Sequence, residues 1–201
     1  MKLGVLTVLL GDKSLEDTLE YLSESGVQAV EFGTGGHPGK DHVDPDILLN
    51  DDEKLQELKD LLKKYELEIS SLSCHGNPIH PQQEIADSYH EAFEKTVLLA
   101  EKLGVERVNT FSGCPGGSPE AKYPNWVTCP WPEDYSEVLK YQWNEVLIPY
   151  WEKTSSFAKD HGVDKICLEM HPGFCVYNPE TMLKLRDEVG EVMGANFDPS
   201  H

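Results

Sequence analysis

Ile166-Cys167-Leu168-Glu169-Met170-His171-Pro172-Gly173 is the stretch whose reading decides the fold. A short apolar run, Ile166 to Leu168, ends in a carboxylate and then meets a Pro-Gly turn. Charged groups are rarely buried within a strand, so a glutamate closing such a run marks where the strand leaves the core. The pattern recurs further on as Gly194-Ala195-Asn196-Phe197-Asp198-Pro199-Ser200-His201. Two acidic side chains, each at a strand exit and each followed by a histidine, converge if the strands lie parallel and side by side. Such a convergence of oxygens holds a hard divalent cation.

Outward from this stretch, strands and helices alternate along the chain. Lys2–Leu9 reads as a first strand, ended by Gly11-Asp12. Ser14 caps a helix with Leu15, Leu19 and Leu22 on one face, closed by Gly26. Val27–Phe32 is a second strand containing Glu31, and the loop from Gly33 to Pro45 follows. Asp51 and Asp52 open a helix carrying Leu55, Leu58, Leu61 and Leu62. Strand three, Glu68–Leu72, runs into Ser73-Cys74-His75-Gly76-Asn77-Pro78. A helix near Ile85–Leu103 buries Phe93, Val97 and Ala100, and Arg107–Phe111 is strand four. A loop rich in Pro, Gly and Trp, Gly113 to Pro132, precedes a helix near Glu133–His161, which Pro149 should kink or split. Lys165–Glu169 is strand five. Asn178-Pro179 starts a helix with a cap residue and a first-turn proline, and Gly194–Asp198 is strand six.

Strands separated by helices imply right-handed βαβ crossovers and a parallel sheet. No G-x-G-x-x-G follows strand one, and polar residues that look functional close strands two, three, five and six rather than gathering at one switch point. The expected fold class is therefore α/β, of the (β/α)8 TIM barrel type. A closed barrel takes ~250 residues, so a single domain of 201 residues stops after about six βα units. The reading expects a fragment of a longer chain, or a homo-oligomer in which another copy completes the open edge.

Charge removes several functions. Seventeen Lys plus Arg against 36 Asp plus Glu, net −19, leave no basic stripe for nucleic acid and disfavour attachment to anionic membranes. No apolar stretch approaches the ~20 residues of a membrane span. The start of the chain, Met1 to Leu10, lacks the cleavage site of a signal peptide. The cysteines, 74, 114, 129, 167 and 175, are odd in number, scattered and never in a C-x-x-C pair. They read as reduced thiols of a cytoplasmic protein, with Cys74 and Cys167 buried on strands.

Leu168-Glu169-Met170-His171-Pro172, Asn196-Phe197-Asp198-Pro199-Ser200-His201 and His75-Gly76-Asn77-Pro78 together resemble the sugar phosphate isomerase/epimerase family with the xylose-isomerase-like barrel. The resemblance covers the whole chain in unit order, and the D-P-S-H ending is its most specific part. It implies that Glu169 and Asp198 bind one divalent metal (Mn, Mg, Co or Zn), that Glu169 also moves a proton beside a carbonyl, and that His201 contacts substrate oxygen. It further implies metal ligands on strands seven and eight, which this sequence does not contain. The expected function is metal-dependent isomerisation or epimerisation of a sugar or sugar phosphate through an enediolate. A keto-polyol dehydratase of the inosose or dehydroshikimate type on the same site, and an inactive barrel fragment, are the alternatives. Hydrolysis of abasic DNA, the chemistry of a sister family, would need histidines after strand four, where Asn109, Thr110, Phe111 and Ser112 stand.

His75 faces the pocket mouth in this reading, with His171 a further substrate contact and Glu31 either a sugar ligand or a loop anchor. Trp126, with Trp131 and Tyr123 in the same loop, offers a ring to stack on a sugar face and a lid to exclude water. Trp143, Tyr150 and Trp151 fall at helical spacing and read as core or interface.

Overall fold

The computed structural model describes residues 1–201. Gly4–Leu6 forms β1, shorter than the expected Lys2–Leu9. Thr7–Leu10 winds instead into a 3-10 turn. That turn lays Val8 against Gly33, where a Cβ would meet Val8 Cγ2 at 2.9 Å, so glycine there admits the turn that ends the strand. Helix α1 spans Leu15–Glu24, and its cap is the expected one: Ser14 Oγ accepts from Asp17 N.

Strand β2, Ala29–Gly33, is followed by a single helical turn, α2, Pro45–Leu48, which Asp44 caps and Pro45 begins. Helix α3 (Asp52–Lys64), strand β3 (Glu68–Ser73), helix α4 (Gln83–Leu103) and strand β4 (Arg107–Thr110) come next. The expected long helix around Pro149 is three pieces. Helix α5 runs Glu133–Lys140, Tyr141–Leu147 is a π-helical segment, and α6 runs Ile148–Asp160. The winding is continuous through all three pieces, and Pro149, which has no N–H to donate to the preceding turn, stands just after the π-helical segment. Strand β5 (Lys165–Glu169), helix α7 (Pro179–Val189) and strand β6 (Met193–Asn196) complete the order.

The six strands neighbour one another in chain order, β1 to β6, and every pair is parallel. A doubly wound sheet reverses its strand order at a switch point. Here the order never reverses, as in a sheet that winds progressively into a barrel wall. The helix-facing side of the sheet is apolar. Val30, Phe32, Leu72, Val108, Ile166 and Leu168 are fully buried and join one cluster with Leu19, Val97, Trp151 and Leu185. Burying a side chain the size of Leu168 contributes about 1.5–3 kcal/mol.

The opposite face carries polar groups. Glu31 pairs in register with Ser71, and Asn109 with Cys167, while Asn109 Nδ2 donates to Ser71 Oγ at 3.0 Å. Cys167 belongs to this inner face, and is half-buried rather than in the apolar core as expected. All five cysteines are free, and no helix is long and apolar enough to cross a membrane.

Candidate metal and substrate site

Strand periodicity places the central carboxylate. Ile166 and Leu168 point into the helix-facing core, so Glu169, one residue on, alternates to the inner face at the strand's exit. Parallel register sets Asn196 of β6 directly beside it, and Asn196 Nδ2 donates to Glu169 Oε2 at 3.3 Å. The ladder ends at Asn196, and two residues further Asp198 begins a turn. Ser200 N donates to Asp198 Oδ1 at 2.8 Å, an Asx-type bond that folds His201 back toward β5.

The result is a three-residue cluster. One ligand atom each from Glu169, Asp198 and His201 lies within 4.8 Å of the others. His201 Nε2 stands 2.9 Å from Glu169 Oε1 and 3.5 Å from Asp198 Oδ2. From the other side His75, on the segment leaving β3, brings Nε2 to 3.0 Å from Glu169 Oε2. That nitrogen lies off the line of an aligned hydrogen bond, so it is buried without a well-directed partner. Its Nδ1 shares a 2.9 Å hydrogen bond with Ser73 Oγ, two residues back on the same strand face.

The charges around Glu169 act in opposite senses. The adjacent His75 imidazole most strongly draws its carboxyl below the ordinary range, burial opposes this, and His201 adds to the lowering. Glu169 is thereby held as a carboxylate at neutral pH. Asp198 is also held below its usual range, chiefly by the backbone N–H of Ser200. Two carboxylates and an imidazole suit a divalent ion from magnesium to zinc, and a buried imidazole nitrogen without an aligned partner marks room for a further polar group.

His171 joins the rim. Its ring centroid lies 4.2 Å from that of His201, and Pro172 does not carry it away, because His171 N closes a tight turn onto Glu169 O. Trp126 packs edge-on against Tyr177, with its centroid 5.4 Å away. Trp131 and Tyr123 are exposed. Glu31 is half-buried on the inner face of β2. Trp143 and Trp151 are core residues, and Trp151 Nε1 donates to Ser112 O at 3.0 Å.

Residues not singled out from the sequence complete the surroundings. Phe111 stacks on Phe174 at 4.2 Å between centroids, meets His75 edge-on at 4.5 Å, and lies 5.3 Å from His171. His37 lies 6.2 Å from Phe111, and burial, with His75 and His171 close by, pushes its pKa down. The signal for Phe111 was present in the sequence: it stands two residues after Asn109, and alternation carries it to the same face just beyond the strand. The Asn77 amide brackets Cys114, so the His-Gly-Asn-Pro segment supplies one pocket residue, His75, and one brace for the neighbouring loop.

A family profile described as xylose isomerase-like TIM barrel matches residues 19–201. The protein YfiH of Bacillus subtilis (strain 168), named as uncharacterized, is 41% identical over 203 residues. The match covers 100% of this chain and 64% of that protein, so the chain spans under two thirds of its curated relative's length. Three solved structures share the fold at lower identity. A xylose isomerase-like TIM barrel protein from Mycobacterium smegmatis in complex with magnesium aligns at 17% identity and TM-score 0.64, over 98% of this chain and 64% of that one. A D-tagatose 3-epimerase-like protein aligns at 20% and 0.63, over 97% and 64%. The probable 3-DHS dehydratase AsbF from Bacillus anthracis aligns at 18% and 0.61, over 98% and 62%.

Proposed function

The chain belongs to the xylose isomerase-like TIM barrel family, and from that premise we propose that its strand-end cluster serves divalent-metal-dependent isomerisation or epimerisation of a sugar. The observation that carries this reading is the meeting of Glu169, Asp198 and His201 within 4.8 Å, with His75 Nε2 buried beside them and lacking an aligned partner. Glu169 and Asp198 would hold the ion, with further ligands from strands seven and eight as the family scheme implies. When bound, the ion supplies a positive charge that polarises a carbonyl and its neighbouring hydroxyl, so that the proton between them leaves at lower cost.

The remaining roles fall to the chain's own side chains. Glu169 is kept ionised by its histidine neighbours and sits at the exit of β5, where a carboxylate can take a proton from the carbon beside a carbonyl. His201 and His75 present imidazole nitrogens that can orient substrate oxygens, and His171 packs against His201 from the side. Phe111 and Phe174 offer a flat apolar wall next to these polar groups, the pairing that a sugar with one apolar face requires.

The test has two arms. Protein dialysed against buffer containing each metal in turn is assayed for bound ion, which separates a metal site from an inert scaffold. A panel of ketoses is then followed by NMR in deuterated water. Solvent deuterium appearing beside the carbonyl, and its loss in Glu169→Gln, is the expected result. Loss of water from a keto-polyol without isomerisation would shift the assignment to a dehydratase, and full exchange by Glu169→Gln would overturn the role of that carboxylate.

A further inference from the structure

Two buried thiols lie outside the chemistry assigned above. Cys114, on the loop leaving β4, is 1% exposed, and Cys175, on the loop leaving β5, is 6% exposed. Cys175 N donates to Gly113 O at 2.9 Å and Val176 N donates to Ser112 Oγ at 2.9 Å, so the two loops are tied to each other beyond the regular sheet. Because Gly113 immediately precedes Cys114, this backbone bond brings the two cysteine backbones to the spacing of neighbouring hydrogen-bonded chains, roughly 4.8 Å. A disulfide accepts Cα separations of about 4.4–6.8 Å.

The side chains agree with this placement: the contact between the two thiols holds that of Cys114 below its ordinary range and, with burial, pushes that of Cys175 up. Cys175 also lines a cavity of about 420 Å3 together with Trp143, Tyr177 and Lys184, wide enough for a small oxidant.

We propose that Cys114 and Cys175 form a reversible redox pair, closed to a disulfide by a hydroperoxide and tying the loop after β4 to the loop after β5. One thiolate attacks a peroxide oxygen, breaking the O–O bond, releasing hydroxide and leaving a sulfenic acid. The second thiolate attacks that sulfur, forming the S–S bond and expelling a second hydroxide. The two thiol protons turn both hydroxides to water, so two thiols are oxidised and one peroxide reduced. The link has a consequence at the pocket, because Phe111 precedes Cys114 on one loop, and Phe174 adjoins Cys175 on the other. Closing it pins the stacked Phe111–Phe174 wall.

The experiment uses the 201-residue chain carrying Cys129→Ser, which removes the exposed thiol. Folded protein is treated with hydrogen peroxide, denatured, alkylated and mapped by mass spectrometry. The expected result is a single cross-linked peptide joining Cys114 to Cys175, two fewer alkylated thiols, and restoration by dithiothreitol. Adding Cys175→Ser or Cys114→Ser should abolish the cross-link. Should either added variant fail to fold, the map of the Cys129→Ser protein decides alone. Both thiols still alkylated after treatment, over-oxidation of either without a cross-link, or pairing with Cys74 or Cys167 would each overturn the proposal.

Discussion

Asn77 and Cys114 are locked together through side chain and backbone: Asn77 Nδ2 donates to Cys114 O at 2.8 Å, and Asn77 Oδ1 accepts from Cys114 N at 2.9 Å. One amide thus satisfies both backbone groups of a buried residue on the next loop, as a strand partner would. The loop after β3 thereby sets the position of the loop after β4. Asn77→Ala leaves a buried N–H and C=O unpaired, and each such group costs about 1–3 kcal/mol. The variant should lose about 2–4 kcal/mol in urea denaturation, and Asn77→Asp, which sets a buried carboxylate oxygen against the carbonyl of Cys114, should lose at least as much at neutral pH.

Gly36 has φ +65°, and a Cβ there would stand 2.1 Å from His75 O. Gly36→Ala therefore combines left-handed backbone strain with a collision against backbone that cannot rotate away. The expected loss is at least about 2 kcal/mol. Since the collision pushes on His75, the variant should also bind divalent metal or substrate more weakly than its residual folded fraction explains, as calorimetry at low temperature would read.

Asp198→Asn keeps the shape of the turn while removing a charge from the cluster. Ser200 N can still donate to the amide oxygen, so the fold should persist with an unchanged thermal midpoint. Affinity for manganese or magnesium should fall by at least about 10-fold, measured by titration calorimetry. An unchanged affinity would move the metal away from β6.

Asp46 accepts from Lys40 Nζ and Lys95 Nζ, each at 2.5 Å, and these ammonium groups lower its pKa from 3.8 to about 2. A depressed carboxyl stabilises the fold above its unfolded pKa, and that stability is lost as pH falls through the folded value. The contribution should therefore be present above pH about 4 and vanish toward pH about 2. Asp46 is half exposed, so solvent screening limits the effect to under ~1 kcal/mol. Asp46→Asn should flatten the stability profile across that window, and added salt should shrink the difference between the two proteins.

The sequence carried the local features that depend on near neighbours. The Ser14 cap, the Asn178 cap with Pro179 behind it, and the alternation that sends Ile166 and Leu168 inward while freeing Glu169 all follow from spacing along the chain. The acidic pair was legible because two strand exits repeat one pattern. The partners of these residues were not legible. Asn77 shows no role of its own until its backbone partner on another loop is known. Phe111 and Phe174 are ordinary aromatic residues until the adjacent loops bring their rings together. The early end of β1 depends on Val8 packing over Gly33, a contact between separate elements that no local pattern encodes. The edge-on contact of Trp126 with Tyr177, made from a separate loop, is likewise invisible in the local sequence.

The π segment Tyr141–Leu147 limits where the chain can lose a residue. Its Gln142 reaches the carbonyls of Pro115, Gly116 and Asn125 from inside a coil that carries Trp151 onward into the core. Each residue of a regular helix advances the phase by about 100°. Trimming one residue here would restore ordinary winding, yet swing Gln142 and Trp151 out of alignment with each other, so that one anchor could be seated only by unseating the other. Shortening should therefore be tolerated in the exposed Tyr123 to Trp131 loop before it is tolerated in this seemingly irregular turn.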